Sequence, residues 1–436
     1  MSKGNHGSLK KEGSIRKRVS KIKETSNRKK WFITIVGGLF FLYAFIVMNI
    51  LNSVGGQIIE HFSLDVATLG FLSSSYFWGN FLALIFAGSV IDVISIRSAF
   101  LFPMIGLILS LVLLGVAENT SLLIVSRLLG GVASSFSFLS CVKLGSLWFS
   151  TERLEAVTGW LVFMAFLGGI FAQTPVVYIA SIFNSWRSAV LVAAALGVVI
   201  LLVMLVVVRA PRSLNQKKAL LERDDSLLKR IKFSLKEYSI VSRRKNNWFC
   251  SLYTTLLNVP IFVLGALWGN LYLQKAHNFT RHQSSFICSM IFFGTMIGSP
   301  VVGLILARWR RHARKIMFWG AILSLLTILI PFLSSSISFQ FALIIFFLLG
   351  FFSAIQIASY PIITATNEKK YTARAISVVS ILLMASGFVS QPLFGWLLSI
   401  GGKTVYTILD YNRAYSIMPI SFLLAAFLPF LIRDHN

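Results

Sequence analysis

Long apolar runs separated by short polar stretches dominate this chain. A helix rises 1.5 Å per residue, so about 20 mostly apolar residues cover about 30 Å of hydrocarbon. Twelve stretches reach that length, at roughly 31–53, 66–91, 98–117, 121–148, 156–183, 187–208, 248–274, 284–307, 316–334, 337–364, 373–400 and 413–433. They lack the apolar–polar alternation, in segments of about ten residues, of a membrane-barrel strand. The pattern predicts an all-α membrane protein with twelve transmembrane helices. The first stretch is longer than the apolar core of an export signal, and the 30 basic and polar residues before it exceed an ordinary signal n-region, so no cleaved leader is expected.

The longest polar interruption, residues 209–247, divides the spans six and six. Within it Leu220, Leu221, Leu227, Leu228, Ile231 and Leu235 recur at near-helical spacing, which fits either a short amphipathic helix on the membrane surface or a plain linker. The expected organisation is a basic tail (1–30), a first six-helix bundle (31–208), this linker (209–247) and a second six-helix bundle (248–436).

Composition agrees. Of 436 residues, 56% are apolar and 13% charged, against about 45–50% and about 25% in soluble proteins. An ordinary cytosolic enzyme is excluded. The charge is lopsided, with 41 Lys and Arg against 15 Asp and Glu. Such a balance suggests nucleic acid until its position is considered. The basic residues cluster in the tail, in the central linker and in the turn Arg308, Arg310, Arg311, Arg314 and Lys315, all on one side if the helices alternate. Clustering of this kind marks the cytoplasmic face, so both termini are expected inside. No nucleic-acid partner is expected, and anionic lipid headgroups are candidate contacts. Cys141, Cys250 and Cys288 lie in or beside apolar runs with no metal-ligand spacing, and no cofactor is expected.

Two segments at the half-chain interval carry similar motifs. Gly88, Asp92 and Arg97 lie between spans two and three, and Gly303, Arg308 and Arg311 between spans eight and nine. Here the chain resembles the major facilitator superfamily, whose loop signature is Gly, three residues, Asp, a basic residue, then Gly and further basics. Val93 and Ser95 depart from it, and the second copy lacks the Asp. The span-four series Arg127, Gly131, Ala133 and Ser134, and the segment from Trp148 to Arg153, are also similar to that family. The resemblance implies two rocking bundles and alternating access about a midplane site. Gly88, Asp92, Arg97, Arg308 and Arg311 would then form a gating network on the cytoplasmic face.

No Asp or Glu falls at mid-depth of a predicted span, where a proton-coupled carrier usually holds one. Glu60 and Asp65 near the outer mouth, and Lys143 in span four, are the remaining candidate coupling groups. The resemblance places spans one, four, seven and ten around the central site, which makes Asn49, Arg127, Asn258, Trp268, Gln356 and Tyr360 the candidate solute contacts. Neutral amides, aromatics and one guanidinium suit a small polar solute that carries a carboxylate or no charge. Organic anions, amino acids and related metabolites lead, with uptake favoured. Spans one and seven lack the mid-membrane arginines of the family's phosphate-exchanging branch. The exporter pattern of span five is only partly present, in Gly168, Gly169 and Pro175. An exporter of the same fold is one alternative, and a non-transporting membrane sensor another. No nucleophile–base pair or nucleotide-binding loop suggests an enzyme. A monomer in a bacterial inner membrane is expected.

Overall fold

In the computed structural model, residues 26–209, 237–334, 337–401 and 406–432 are described. Most of the tail and the linker leucines, read as either an amphipathic helix or a plain linker, lie outside the described residues. Twelve helices are long and apolar enough to cross a membrane: α1 Asn27–Phe62, α2 Val66–Val93, α3 Ile96–Val116, α4 Thr120–Trp148, α5 Ala156–Ile182, α6 Trp186–Val207, α7 Lys245–Ala276, α8 Arg281–Arg308, α9 Ala313–Leu333, α10 Phe339–Thr366, α11 Arg374–Ser399 and α12 Ile408–Leu431. Among the described residues there is no strand.

Short polar residues in the loops start the helices. Asp65 accepts a hydrogen bond from Thr68 N at 2.9 Å, and Asn119 from Leu122 N at 2.9 Å. Thr280 with Gln283, and Thr407 with Asp410, form reciprocal capping boxes. Each satisfies backbone N–H groups that a helix start leaves unpaired. Asp65, a candidate coupling group, is therefore a helix cap here.

Within each bundle two helices meet backbone to backbone. A methyl group on Gly131 of α4 would sit 1.9 Å from the Tyr76 carbonyl oxygen of α2, and one on Gly350 of α10 would sit 2.0 Å from that of Ile291 of α8. Only glycine permits that approach. The two contacts are repeats of each other at the half-chain interval. Gly88 and Gly303 are not part of this packing: Gly303 has open space beside it, and Gly88 meets only the tip of Arg374.

Helix breaks also recur. α4 is interrupted at Ser135, and α10 by a 3-10 turn over Ala354–Ala358. Pro260, which has no N–H to donate, precedes a π-helical segment in α7, Ile261–Trp268. α5 breaks between Phe171 and Thr174, just before Pro175.

Candidate functional site

The bundles meet through α1 with α7, α2 with α11, and α5 with α8. The α1–α7 contact is an amide cluster. Asn52 Nδ2 lies 2.9–3.0 Å from Leu264 O, Gly265 O and Gln173 Oε1, while Asn52 Oδ1 accepts from Asn270 N at 3.0 Å. Asn270 Nδ2 donates to Asn52 O at 2.8 Å, and Gln173 Nε2 to Gly265 O at 2.8 Å. Arg281 Nη2 adds bonds to Ser53 O at 3.0 Å and Gln57 Oε1 at 2.9 Å. α5 and α8 are joined nearby by Thr174 with Ser289 at 3.3 Å and Ser181 with His282 at 3.2 Å.

These bonds lie in the half of the molecule away from the basic loops. Deeper in, aromatic rings plug glycine notches. Phe292 of α8 packs where side chains on Gly169 and Gly265 would stand, and Phe77 of α2 packs against Gly387 of α11. Toward the basic side Gly159 of α5 and Gly303 of α8 have no atom within 4 Å of an added Cβ, while Gly88 of α2 meets Arg374 of α11. The hydrogen bonds that cross the interface near Asn52 are concentrated at the far side.

Arg127 is 2% exposed and is held by the protein itself. Its Nη1 donates to Val47 O at 2.7 Å and its Nη2 to Met48 O at 3.0 Å, and its guanidinium lies 4.6 Å from the Tyr76 ring centroid. Those carbonyls belong to the unbroken helix α1 and use a second lone pair. Arg127 thus ties α4 to α1 and α2 instead of presenting its charge to a cleft. Tyr76 Oη donates to Ala44 O at 3.3 Å, and Asn80 Nδ2 to Ser134 Oγ at 2.7 Å, in the same three-helix seam.

The other candidates separate into two groups. Asn258 and Gln356 pair directly, Asn258 Nδ2 to Gln356 Oε1, and half-buried Tyr360 lies one turn further along α10. Asn49 donates to Phe45 O at 2.7 Å, and its Oδ1 is enclosed without a partner. Trp268 sits apart from both. It is fully buried, donates to Gln391 O at 3.1 Å and stacks on Phe394 at 5.2 Å. That makes it a packing residue at the α7–α11 junction in this conformation.

On the basic face, Asp92, Arg97, Arg308 and Arg311 are exposed, and no hydrogen bond or ion pair joins them among the described residues. Arg374 at the start of α11 pairs with Glu237 at 2.9 Å and lies beside Gly88. Lys143 Nζ donates to Ile91 O and Ile94 O, capping the end of α2. Arg97 instead lines a shallow apolar groove between α3 and α6 with Phe100, Leu201, Met204 and Leu205. Glu60 is exposed at the far end of α1. Among the described residues no cluster of His, Cys, Asp and Glu could hold a metal ion.

Gln173, Asn270 and Arg281 were not among the sequence candidates. The only signals were a polar residue two before Pro175 and isolated polar positions at the end of span seven and the start of span eight. Asn52 was visible only as the i, i+3 companion of Asn49.

Among solved structures, a bacterial homolog of the human lysosomal transporter Spinster is similar in two inward-facing conformations. In the occupied form, TM-score 0.71 and 16% identity cover 94% of this chain and 97% of that one. The unoccupied form gives TM-score 0.73 and 16% identity over 94% and 98%. A mutant of the nucleoside transporter NupG gives TM-score 0.69 and 13% identity over 93% and 100%. Comparison with curated proteins found no match. The Major Facilitator Superfamily model matches residues 36–280 and 259–436. With twelve spans, two repeated six-helix bundles and a family match along nearly the whole chain, this protein belongs to the Major Facilitator Superfamily of membrane transporters.

Proposed function

We propose that the protein is a secondary carrier that takes up a small polar solute by alternating access, with the basic face in the cytoplasm of a bacterial cell. The observation that carries this reading is the asymmetry of the bundle interface. Hydrogen bonds of amide side chains join α1 to α7 and α5 at the far side, while Gly159 and Gly303 have open space beside them at the basic side. A cleft open to one face and sealed at the other is one half of an alternating-access cycle. The two inward-facing conformations of the Spinster homolog agree with that orientation. The exporter pattern is only partly present, in Gly168, Gly169 and Pro175, which favours uptake over export.

The candidate solute contacts are Asn49, Asn258, Gln356 and Tyr360. A carboxylate on Arg127 is not supported, because its terminal nitrogens already bond to Val47 and Met48. Gating falls to Gly88, which lies beside Arg374, with Asp92 one turn further along α2, and to Arg308 and Arg311 at the repeated position. With no carboxylate beside the cleft, exchange or facilitated movement is the favoured energetics. Glu60 at the far mouth remains the proposed group for any proton coupling. The working unit is a monomer, and Arg97 above its apolar groove suits an anionic lipid headgroup.

The test is counterflow. Proteoliposomes loaded with a cell metabolite extract are given isotope-labelled extract, and labelled compounds inside are identified by mass spectrometry. At least one should accumulate beyond protein-free vesicles. If none does, and spin labels at Gly159 and Gly303 report a single fixed distance under every condition, the protein is a sensor and not a carrier.

A further inference from the structure

We infer that the solute is an uncharged molecule with a ring, stacked on an aromatic wall of the first bundle and hydrogen-bonded at both ends. This inference rests on the carrier reading and adds the chemical class. Asn52, Asn49, Phe45 and Phe41 follow one another at three- and four-residue steps and so share a face of α1. At Asn52 that face is fastened to α7. Further toward the basic side, Phe45 and Phe41 are only half-buried. Their rings continue into a wall. Phe41 lies 5.1 Å from Phe45 and 5.4 Å from Phe138, and Phe45 lies 6.1 Å from Phe166. A flat ring gains by stacking or edge contact on such a surface.

Two polar atoms on this wall lack partners. Asn49 Oδ1, at the closed end of the cleft, is an enclosed acceptor, and Trp160 Nε1, next to Gly38 of α1, is an enclosed donor. A buried polar atom left unpaired is unfavourable until something bonds to it. The two ask for a solute with a donor at one end and an acceptor at the other. The Asn258–Gln356 pair offers further amide groups on α7 and α10.

Charge is missing from the same region. No Asp or Glu occupies mid-depth of a described span: Asp410, at the start of α12, is paired with Arg413, and Asp92 is exposed on the basic face. Arg127 is committed to α1 and Tyr76, and Lys143 to the end of α2. A charged solute would enter this cleft without a counter-charge, which membrane interiors penalise heavily. A neutral ring with polar edges meets no such penalty.

The experiment is thermal stabilisation of the purified full-length protein by matched sets of compounds. Uncharged ring compounds (uridine, thymine, nicotinamide and a wider set of that kind) are compared with ring carboxylates such as nicotinate and benzoate. Ring amines such as benzylamine and ringless neutral polyols such as xylitol complete the panel. The strongest stabilisers should be uncharged ring compounds. Phe45→Ala should weaken the best of them at least tenfold, and Trp160→Phe, which keeps the bulk and removes the N–H, at least threefold. A best stabiliser that is charged or ringless overturns the inference, and so does a complete lack of response to the uncharged ring set. Counterflow of the best stabiliser separates the two levels. A charged compound that exchanges refutes the class and leaves the carrier standing, whereas a neutral ring that binds without exchanging refutes the carrier.

Discussion

Among the described residues, Arg127 is the one guanidinium that the fold encloses completely. Desolvating a cation costs several kcal/mol, and no carboxylate repays it here. Repayment comes from two backbone carbonyls and the face of Tyr76. The planar fork suits that geometry, whereas an ammonium is a point charge. Arg127→Lys keeps the charge buried but loses the bidentate grip and the stacking, so it should cost about 2 kcal/mol of stability. Arg127→Met removes the charge, and the Val47 and Met48 carbonyls keep their helical partners, so its cost should be smaller. Thermal melts of both variants measure that order. A solute-binding role for the charge would reverse the order in transport, with Lys retaining activity and Met losing it. The sequence exposed Arg127 as an odd charge in an apolar span. It could not expose the partner, because backbone carbonyls are present at every position and leave no mark on residue identity.

Legibility differs in the same way among the helices. All twelve spans were readable, since about 20 apolar residues in a row leave the chain little choice but to cross the bilayer. The half-chain repeat was readable too, yet the glycines that advertised it, Gly88 and Gly303, are not the ones that bring helices together. Gly131 and Gly350 do that work, and inside apolar runs a packing glycine looks like any other. The far-side closure was hidden for a further reason. It depends on the π-helical segment of α7 after Pro260, which carries the Leu264 and Gly265 carbonyls to Asn52. A sequence shows the proline but not which neighbour bonds to the carbonyls beyond it. Asn52 bonds to both α7 and Gln173 of α5, so Asn52→Ala removes several bonds from the seal at once. Each interhelical bond in a membrane contributes about 0.6 kcal/mol, so losing three should make far-side opening roughly twentyfold more frequent. Maleimide labelling of a Leu271→Cys reporter, which lies against Gly56 of α1, should accelerate accordingly. The native cysteines are all buried and contribute little background. An unchanged labelling rate would mean that the amide cluster does not hold the far side shut.

At the scale of the whole molecule, the proposed cycle needs two seals that alternate. The far-side seal is made of amides together with Arg281 of α8 and is intact. The basic-side seal, in the proposed cycle, is made of charges and is undone. Asp92 stands exposed at the end of α2, while Arg374 at the neighbouring start of α11 is engaged by Glu237, a residue just before α7. Closing the basic side brings the ends of the bundles together and offers Asp92 the positive residues of the other bundle. The electrostatic gain exists only in the closed state, so it shifts the equilibrium between the two states without stabilising both. Asp92→Asn removes the charge and preserves shape, and its exposed position means that folding should be unaffected. An exposed ion pair contributes about 1 kcal/mol or less, so the closed population should fall up to about fivefold. Counterflow should slow by a similar factor at normal expression and melting temperature. Spin-label distances between Gly159 and Gly303 should move toward the open value. High salt should slow the parent protein toward the variant, because exposed charges are screened within about 10 Å at 0.1 M and less above it. Equal counterflow rates for parent and variant at low salt would remove Asp92 from the gate and leave it as a determinant of topology alone.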